Sequence, residues 1–194
     1  MKHTLLALAL ALGTCTAAQA ASAPITSWSC TAGVTGCDFA GDDAFPDEWQ
    51  YWQSETAWWT GFEGSVTYTL SAPMLISGLT VSLDNNDSYT IDGSLDGQTW
   101  STLLFVGSSI GTVGGGMDTF STIGSHPQYD AGLAGIFSPM MASMVRITAV
   151  DGDALNSVGE LAVTAVPEPG SWALLAAGLA GLGLARRSLG ATRR

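Results

Sequence analysis

Between Ala21 and Ala165 the apolar residues of this chain recur in short alternating runs, each stopped by glycine, proline, asparagine or aspartate. Alternation is the strand period: successive side chains of an extended backbone point to opposite faces, so every second position can be buried. Val66, Tyr68 and Leu70 alternate with Ser65, Thr67, Thr69 and Ser71, which predicts a half-buried strand ending at Pro73. Ile76, Leu79, Val81 and Leu83 form a second run, stopped by Asp84-Asn85-Asn86-Asp87. Tyr89, Ile91 and Gly93 begin a third strand, and Asp96-Gly97 supplies the turn into Trp100–Val106; Tyr89 and Trp100 are expected to pack across that pair. Met144–Val150 and Glu160–Val166 supply two more, while Gly107–Pro139 reads as long loops holding one or two weak strands. No helical stripe interrupts the series. The pattern predicts an all-β sandwich.

Both ends depart from it. Lys2 and His3 precede an apolar run from Leu5 to Leu12, and Ala18-Gln19-Ala20 offers the small residues that a signal peptidase reads. Residues 1–20 are thus expected to be a signal peptide and 21–165 the folding body. Cleavage after Ala20 removes Cys15 and leaves Cys30 and Cys37, which are predicted to pair in an oxidising compartment.

At the other end, Pro167 and Pro169 hold Glu168 out of helix. A run of fourteen mostly apolar residues follows, 172–185. As a transmembrane helix it would span about 21 Å, against a hydrocarbon core of ~30 Å, which is short for a lasting anchor. Gly178, Gly181 and Gly183 weaken it further, and Arg186 and Arg187 act as a stop-transfer signal, with Arg193 and Arg194 keeping its end in the cytoplasm. This order, Pro-Glu-Pro, short hydrophobic helix, arginine cluster, resembles the PEP-CTERM sorting signal of exported proteins in Gram-negative bacteria that make exopolysaccharide. The resemblance covers 166–194 and implies recognition of Pro167-Glu168-Pro169 by an exosortase, with only a transient stay in the membrane.

Charge divides the chain in the same way. Of six Lys and Arg residues, only Arg146 lies in the body, whereas nearly all of the seventeen Asp and Glu residues do. Such a surface repels phosphate backbones and excludes nucleic-acid binding.

Within the body, Tyr89, Ser94, Asp96, Gly97 and Trp100, followed by Val145-Arg146-Ile147 and Gly159-Glu160-Leu161, resemble the hairpin and closing strands of the discoidin, or coagulation factor type C, domain of the galactose-binding-like superfamily. The resemblance implies a jelly-roll β-sandwich with ligand loops at one end. Some bacterial members hold a structural calcium between an early acidic loop and the glutamate of the last strand. Glu160 matches that glutamate, and Asp42, Asp43 and Asp47 stand in the early loop with the hard oxygen donors that calcium takes.

The segment from Asp47 to Gly64 is dense in aromatic and acidic residues, the combination with which many proteins hold sugar rings. Trp52, Trp58 and Trp59 are the candidate ligand residues; the alternative for each is core packing. Catalytic chemistry has little to work with, since the body has one histidine, His126, with no triad or zinc-ligand spacing around it. The expectation is an exported, non-catalytic protein that binds exopolysaccharide or another surface glycan at the cell surface or in the extracellular matrix. Its rivals are a structural matrix protein without a discrete ligand, and a glycoside hydrolase or lyase.

Overall fold

The computed structural model of the protein describes residues 21–111, 115–123, 131–133, 136–166 and Gly178. The expected signal peptide, Pro167, Glu168, Pro169, Arg186 and Arg187, the run 172–185 and His126 lie outside them. No helix among the described residues is long and apolar enough to cross a membrane.

The described body is built from strands: β1 (Ala21–Ser22), β2 (Ile25–Cys30), β3 (Ala57–Thr60), β4 (Ser65–Asp84), β5 (Ser88–Ser94), β6 (Ser101–Val106), β7 (Met117–Ser121), β8 (Ala131–Gly132), β9 (Met140–Asp151) and β10 (Leu155–Val166). A 3-10 helix, Cys37–Gly41, links β2 to the loop before β3. All pairings are antiparallel except β7 with β8.

β4 organises the sandwich. Along Val66–Leu70 it lies between β2 and β9, and along Leu79–Leu83 between β7 and β10. The change of neighbours divides the strands into two layers, with β9, β5 and β6 continuing the first and β10, β1 and β3 the second. Val66, Tyr68 and Leu70 from the first half, and Ile76, Leu79, Val81 and Leu83 from the second, are buried with Tyr89, Ile91, Phe120, Val145, Ile147, Leu161 and Val163. Burying a side chain of this size stabilises the fold by roughly 1.5–3 kcal/mol, before the cost of ordering it.

Two sequence expectations are corrected here. The strand predicted to stop at Pro73 runs through it, as one element of twenty residues. Pro73 has no N–H for a ladder, but the register of β4 against β9 is interrupted between Thr69 and Met74, so none is required there. Nor do Tyr89 and Trp100 face one another, because Tyr89 is opposite Val106 at the far end of the hairpin. Tyr89 is instead fully buried, its hydroxyl accepting from the Ser157 amide at 3.1 Å. Trp100 carries the Arg146 guanidinium over its ring at 4.2 Å, and that guanidinium also pairs with Asp92 at 3.4 Å.

The predicted turn at Asp96-Gly97 is present. Gly97 takes φ 71°, and Asp96 Oδ1 accepts from the amides of Gln98 and Thr99 at 2.8 and 2.7 Å, which holds the Asp96 carboxyl down at about 2. Cys30 and Cys37 form the predicted disulfide with their Cα atoms 6.0 Å apart. A loop this short stabilises the fold by about 2.5 kcal/mol on the chain-entropy estimate.

Candidate functional site

The disulfide fixes where the long acidic loop begins. It ties the end of β2 to the start of the 3-10 helix, and Trp28 closes the other side by donating from Nε1 to the Cys37 carbonyl at 2.9 Å. Gly41 packs flat on the Trp28 ring, where a Cβ would come within 2.5 Å of it. Residues 42–56 then cross the face of the second layer, with Pro46 buried against Gly159.

Two backbone hydrogen bonds hook this loop to β7. The Trp49 amide donates to Met117 O and the Met117 amide to Gln50 O, both at 3.0 Å. Trp49 reaches this geometry at φ 65°. Gly116 permits it from the other side, since a Cβ there would lie 2.8 Å from Gln50 O. Further bonds tighten the turn: Ser54 N to Tyr51 O at 2.8 Å, the Gln50 side-chain amide to Ser54 O, and the Thr56 hydroxyl to Trp52 O. A loop pinned this densely holds its side chains in place before any ligand arrives.

The aromatics are sorted by this construction. Trp59 is 2% exposed and belongs to the core, its ring against Gly64, so it is not available to stack on a sugar. Its place in β3 explains this: alternation turns Ala57 and Trp59 inward. Trp52 and Trp58 are half-buried and pack edge to face with ring centres 5.5 Å apart. In this segment Trp49 is 62% exposed, Tyr51 60% and Phe62 42%, and none of the three is among the candidate ligand residues named from the sequence. No sequence pattern sorts them: Glu48-Trp49-Gln50-Tyr51 alternates as a strand would yet lies in a loop, whereas the adjacent Trp58 and Trp59 lie in β3.

The acidic loop and the last strand do meet. Glu160, 3% exposed, accepts from the Asp43 amide at 2.7 Å on Oε2 and from its neighbour Leu161 at 2.8 Å on Oε1. Burial, and then the carboxylates of Asp42 and Asp43, push the Glu160 carboxyl up to about 7. Asp43 and Glu160 line a recess of about 250 Å³ with Ser22, Ile25 and Phe45. Asp47 stands apart: it lines a second recess, about 150 Å³, with Asp42, Gln50 and Glu55. For calcium, Asp42 and Asp43 are acids that act on the buried Glu160 carboxyl, but Asp42 also lines the second recess with Asp47. Among the described residues no three acidic, histidine or cysteine side chains form a ready cage for a metal ion.

A second acidic group forms where the β4–β5 and β9–β10 turns meet. Asp87 Oδ1 accepts from the Asp153 amide at 2.9 Å, Asp153 Oδ1 from Leu155 at 2.9 Å, and Asp84 Oδ1 from Gly116 at 3.1 Å. Burial, then Asp87 and Asp153, raise Asp84 to about 7; burial, then Asp153, raise Asp87 to about 6. Asp87 and Asp153 bond amides at the β9–β10 connection, as turn formers do, whereas Asp84 reaches the loop before β7 at Gly116.

Compared with known proteins, residues 165–187 match the family model of the PEP-CTERM protein-sorting motif, which marks an exported, exosortase-processed protein. No curated protein matches the chain in sequence. Among solved structures, "Truncated AlyQ with CBM32 and alginate lyase domains" is similar at a TM-score of 0.50 and 12% identity over 78% of this chain, which spans 35% of that one. The CBM32 of AlyQ in complex with 4,5-unsaturated mannuronic acid aligns over 74% of this chain and 97% of its own, at 12% identity and a TM-score of 0.48. A CBM32 produced by Clostridium perfringens, in complex with GlcNAc-alpha-1,4-galactose, aligns over 79% and 99%, at 10% identity and a TM-score of 0.48. The chain thus joins a PEP-CTERM sorting motif to a body with the β-sandwich fold found among discoidin-like carbohydrate-binding modules.

Proposed function

We propose that this protein is a non-catalytic carbohydrate-binding protein, delivered to the cell surface or extracellular matrix of a Gram-negative bacterium, and that it holds polysaccharide on the rim formed by Trp49 and Tyr51. The observation that carries this reading is the exposure of two large rings, 62% and 60%, on a loop whose backbone is bonded to β7 on either side of Gln50. A sugar offers such rings a flat C–H face while its hydroxyls reach nearby carboxylates. Signal peptidase and exosortase act on the precursor in this scheme, with 172–185 in the membrane only until the tail is removed. Mass spectrometry of the exported form checks it: a mass corresponding to loss of residues 1–20 and of the segment beyond the Pro-Glu-Pro motif is expected.

Affinity electrophoresis through gels cast with exopolysaccharide tests the binding itself. The wild-type chain is expected to be retarded, and Trp49→Ala with Tyr51→Ala to run freely; wild type that migrates unretarded through every neutral, acidic and basic polysaccharide sinks the reading. A structural calcium held by Glu160, Asp42 and Asp43 is part of the proposal. Calcium at a hundred times its dissociation constant would add about 2.7 kcal/mol to stability. The rise in melting temperature is expected to vanish in Glu160→Gln.

A further inference from the structure

The sorting motif and the folded body share residues. The matched segment begins at Ala165, yet Ala165 and Val166 are still paired in β10, with Ile76 and Leu75 of β4 opposite them. Pro167-Glu168-Pro169 follows at once in the sequence, so an enzyme holding that tripeptide works within about 10 Å of Val166, the reach of three extended residues. β4 and β9 lie about 5 and 10 Å from β10 along this row, inside the same reach. What they present there is apolar. Leu75 is exposed, and it pairs on its other side with Met141 of β9. Met140 and Met141 line a recess of about 350 Å³ together with Leu95, which is 55% exposed. Ile123, 57% exposed, lies so close to Gly78 that a Cβ there would come within 2.1 Å of its Cγ2, and Gly78 pairs with Thr164 of β10.

Charge separates this end of the body from the other. Asp84, Asp87, Asp118, Asp151 and Asp153 gather where β4 and β9 finish, nine residues or about 30 Å of strand from Leu75. Among the described residues that line the recess Asp96 is the one acid, and its Oδ1 is taken by the Gln98 and Thr99 amides. A bilayer surface carrying anionic lipids repels the acid-rich end, so an enzyme embedded in it is approached from the Val166 end. The thioethers suit that contact, because unbranched methionine side chains repack around whatever a partner inserts. We propose that Leu75, Leu95, Ile123, Met140 and Met141 form a docking surface for the exosortase, which holds this end of the folded body together with the Pro-Glu-Pro tripeptide. The proposal rests on the exosortase processing described above and adds to it a contact on the sandwich.

Pulse-chase of the full chain, co-expressed with an exosortase in cells that have none of their own, tests it. Tail loss is followed as a mass shift, and signal-peptide removal in the same samples reports export. Leu95→Asp with Ile123→Asp, both at exposed positions, is expected to slow tail removal about tenfold with signal-peptide removal unchanged, the scale of losing one or two interface side chains. Phe105→Asp, which alters an exposed ring toward the opposite end of β6, is expected to leave the rate as it is. A flexible spacer of about twelve Gly and Ser residues between Val166 and Pro167 keeps the body intact and uncouples it from the enzyme. It is expected to slow the otherwise wild-type chain to the rate of the double variant and to erase the difference between them. Equal rates for wild type and double variant, equal slowing by Phe105→Asp, or a spacer that leaves the rate unchanged or raises it would overturn the docking surface and leave exosortase processing standing. Tail removal from none of the chains overturns both.

Discussion

Two parts of this protein are rich in aspartate and glutamate, and they use them in opposite ways. Around Asp84, Asp87 and Asp153 the carboxyl groups serve the chain itself, accepting from the amides of Gly116, Asp153 and Leu155, and Asp84 and Asp87 are almost entirely shielded from water. Along 42–56 the acids at Asp42, Asp43, Asp47 and Glu55 stay in water beside exposed rings, while the backbone does the holding. Composition alone makes the two regions look equivalent. What separates them is burial: Asp84 and Asp87 are enclosed with their oxygens turned to backbone amides, whereas Asp42, Asp43, Asp47 and Glu55 remain exposed.

The contrast can be broken most forcefully at Gly152, which sits at φ 131° with a Cβ position only 1.8 Å from Asp87 Oδ1. Gly152→Ala is expected to destabilise by about 3 kcal/mol, combining backbone strain with displacement of a buried carboxyl. Urea denaturation measures it; a loss below about 0.5 kcal/mol, the usual surface level, would mean that this turn is no more constrained than the loop.

A smaller effect is expected from pH. Asp84 at about 7 and Asp87 at about 6 both stand above the ordinary 3.8. The folded state therefore keeps protons that the unfolded chain has lost, so stability falls as pH rises from about 4 to about 7. Allowing for relaxation and water penetration, about 2 kcal/mol from this pair is expected to disappear across that window, and Asp84→Asn with Asp87→Asn to reduce the slope to the share that Glu160, raised to about 7, still contributes. Paired urea curves at either end of the window measure it, and an equal slope in the double variant would refute the assignment.

The smallest effect is the most discriminating. Trp49→Ala is expected to change stability by no more than about 0.5 kcal/mol, whereas Trp59→Ala costs about 3–5 kcal/mol. Similar losses from the two would place Trp49 in the core and remove the rim.

Much of the fold was legible in the sequence because it rests on local rules. Alternation announced β4, β5, β9 and β10, the Asp-Gly dipeptide announced its hairpin, and the cysteine pair announced its bridge. The failures share one cause, which is that burial depends on what folds over a residue from elsewhere. Pro73 reads as a stop until a break in register excuses its missing donor. Trp100 reads as the cross-strand partner of Tyr89 until Arg146, forty-six residues away, covers its face. At the candidate site, Glu160 and the early acids were named and do converge, but Asp47 turned to a different recess and the exposed rings proved to be neighbours of those selected. Which ring is covered depends on a bond between Trp49 and Met117, partners far apart along the chain with no shared motif.

The pairing of Ala21 with Ala165 and of Ser22 with Thr164 places the body's first and last residues on adjacent strands, about 5 Å apart. A few added residues would therefore suffice to close the body into a ring, and a circular permutant reopened at Ser108-Ser109 would keep the ladder intact.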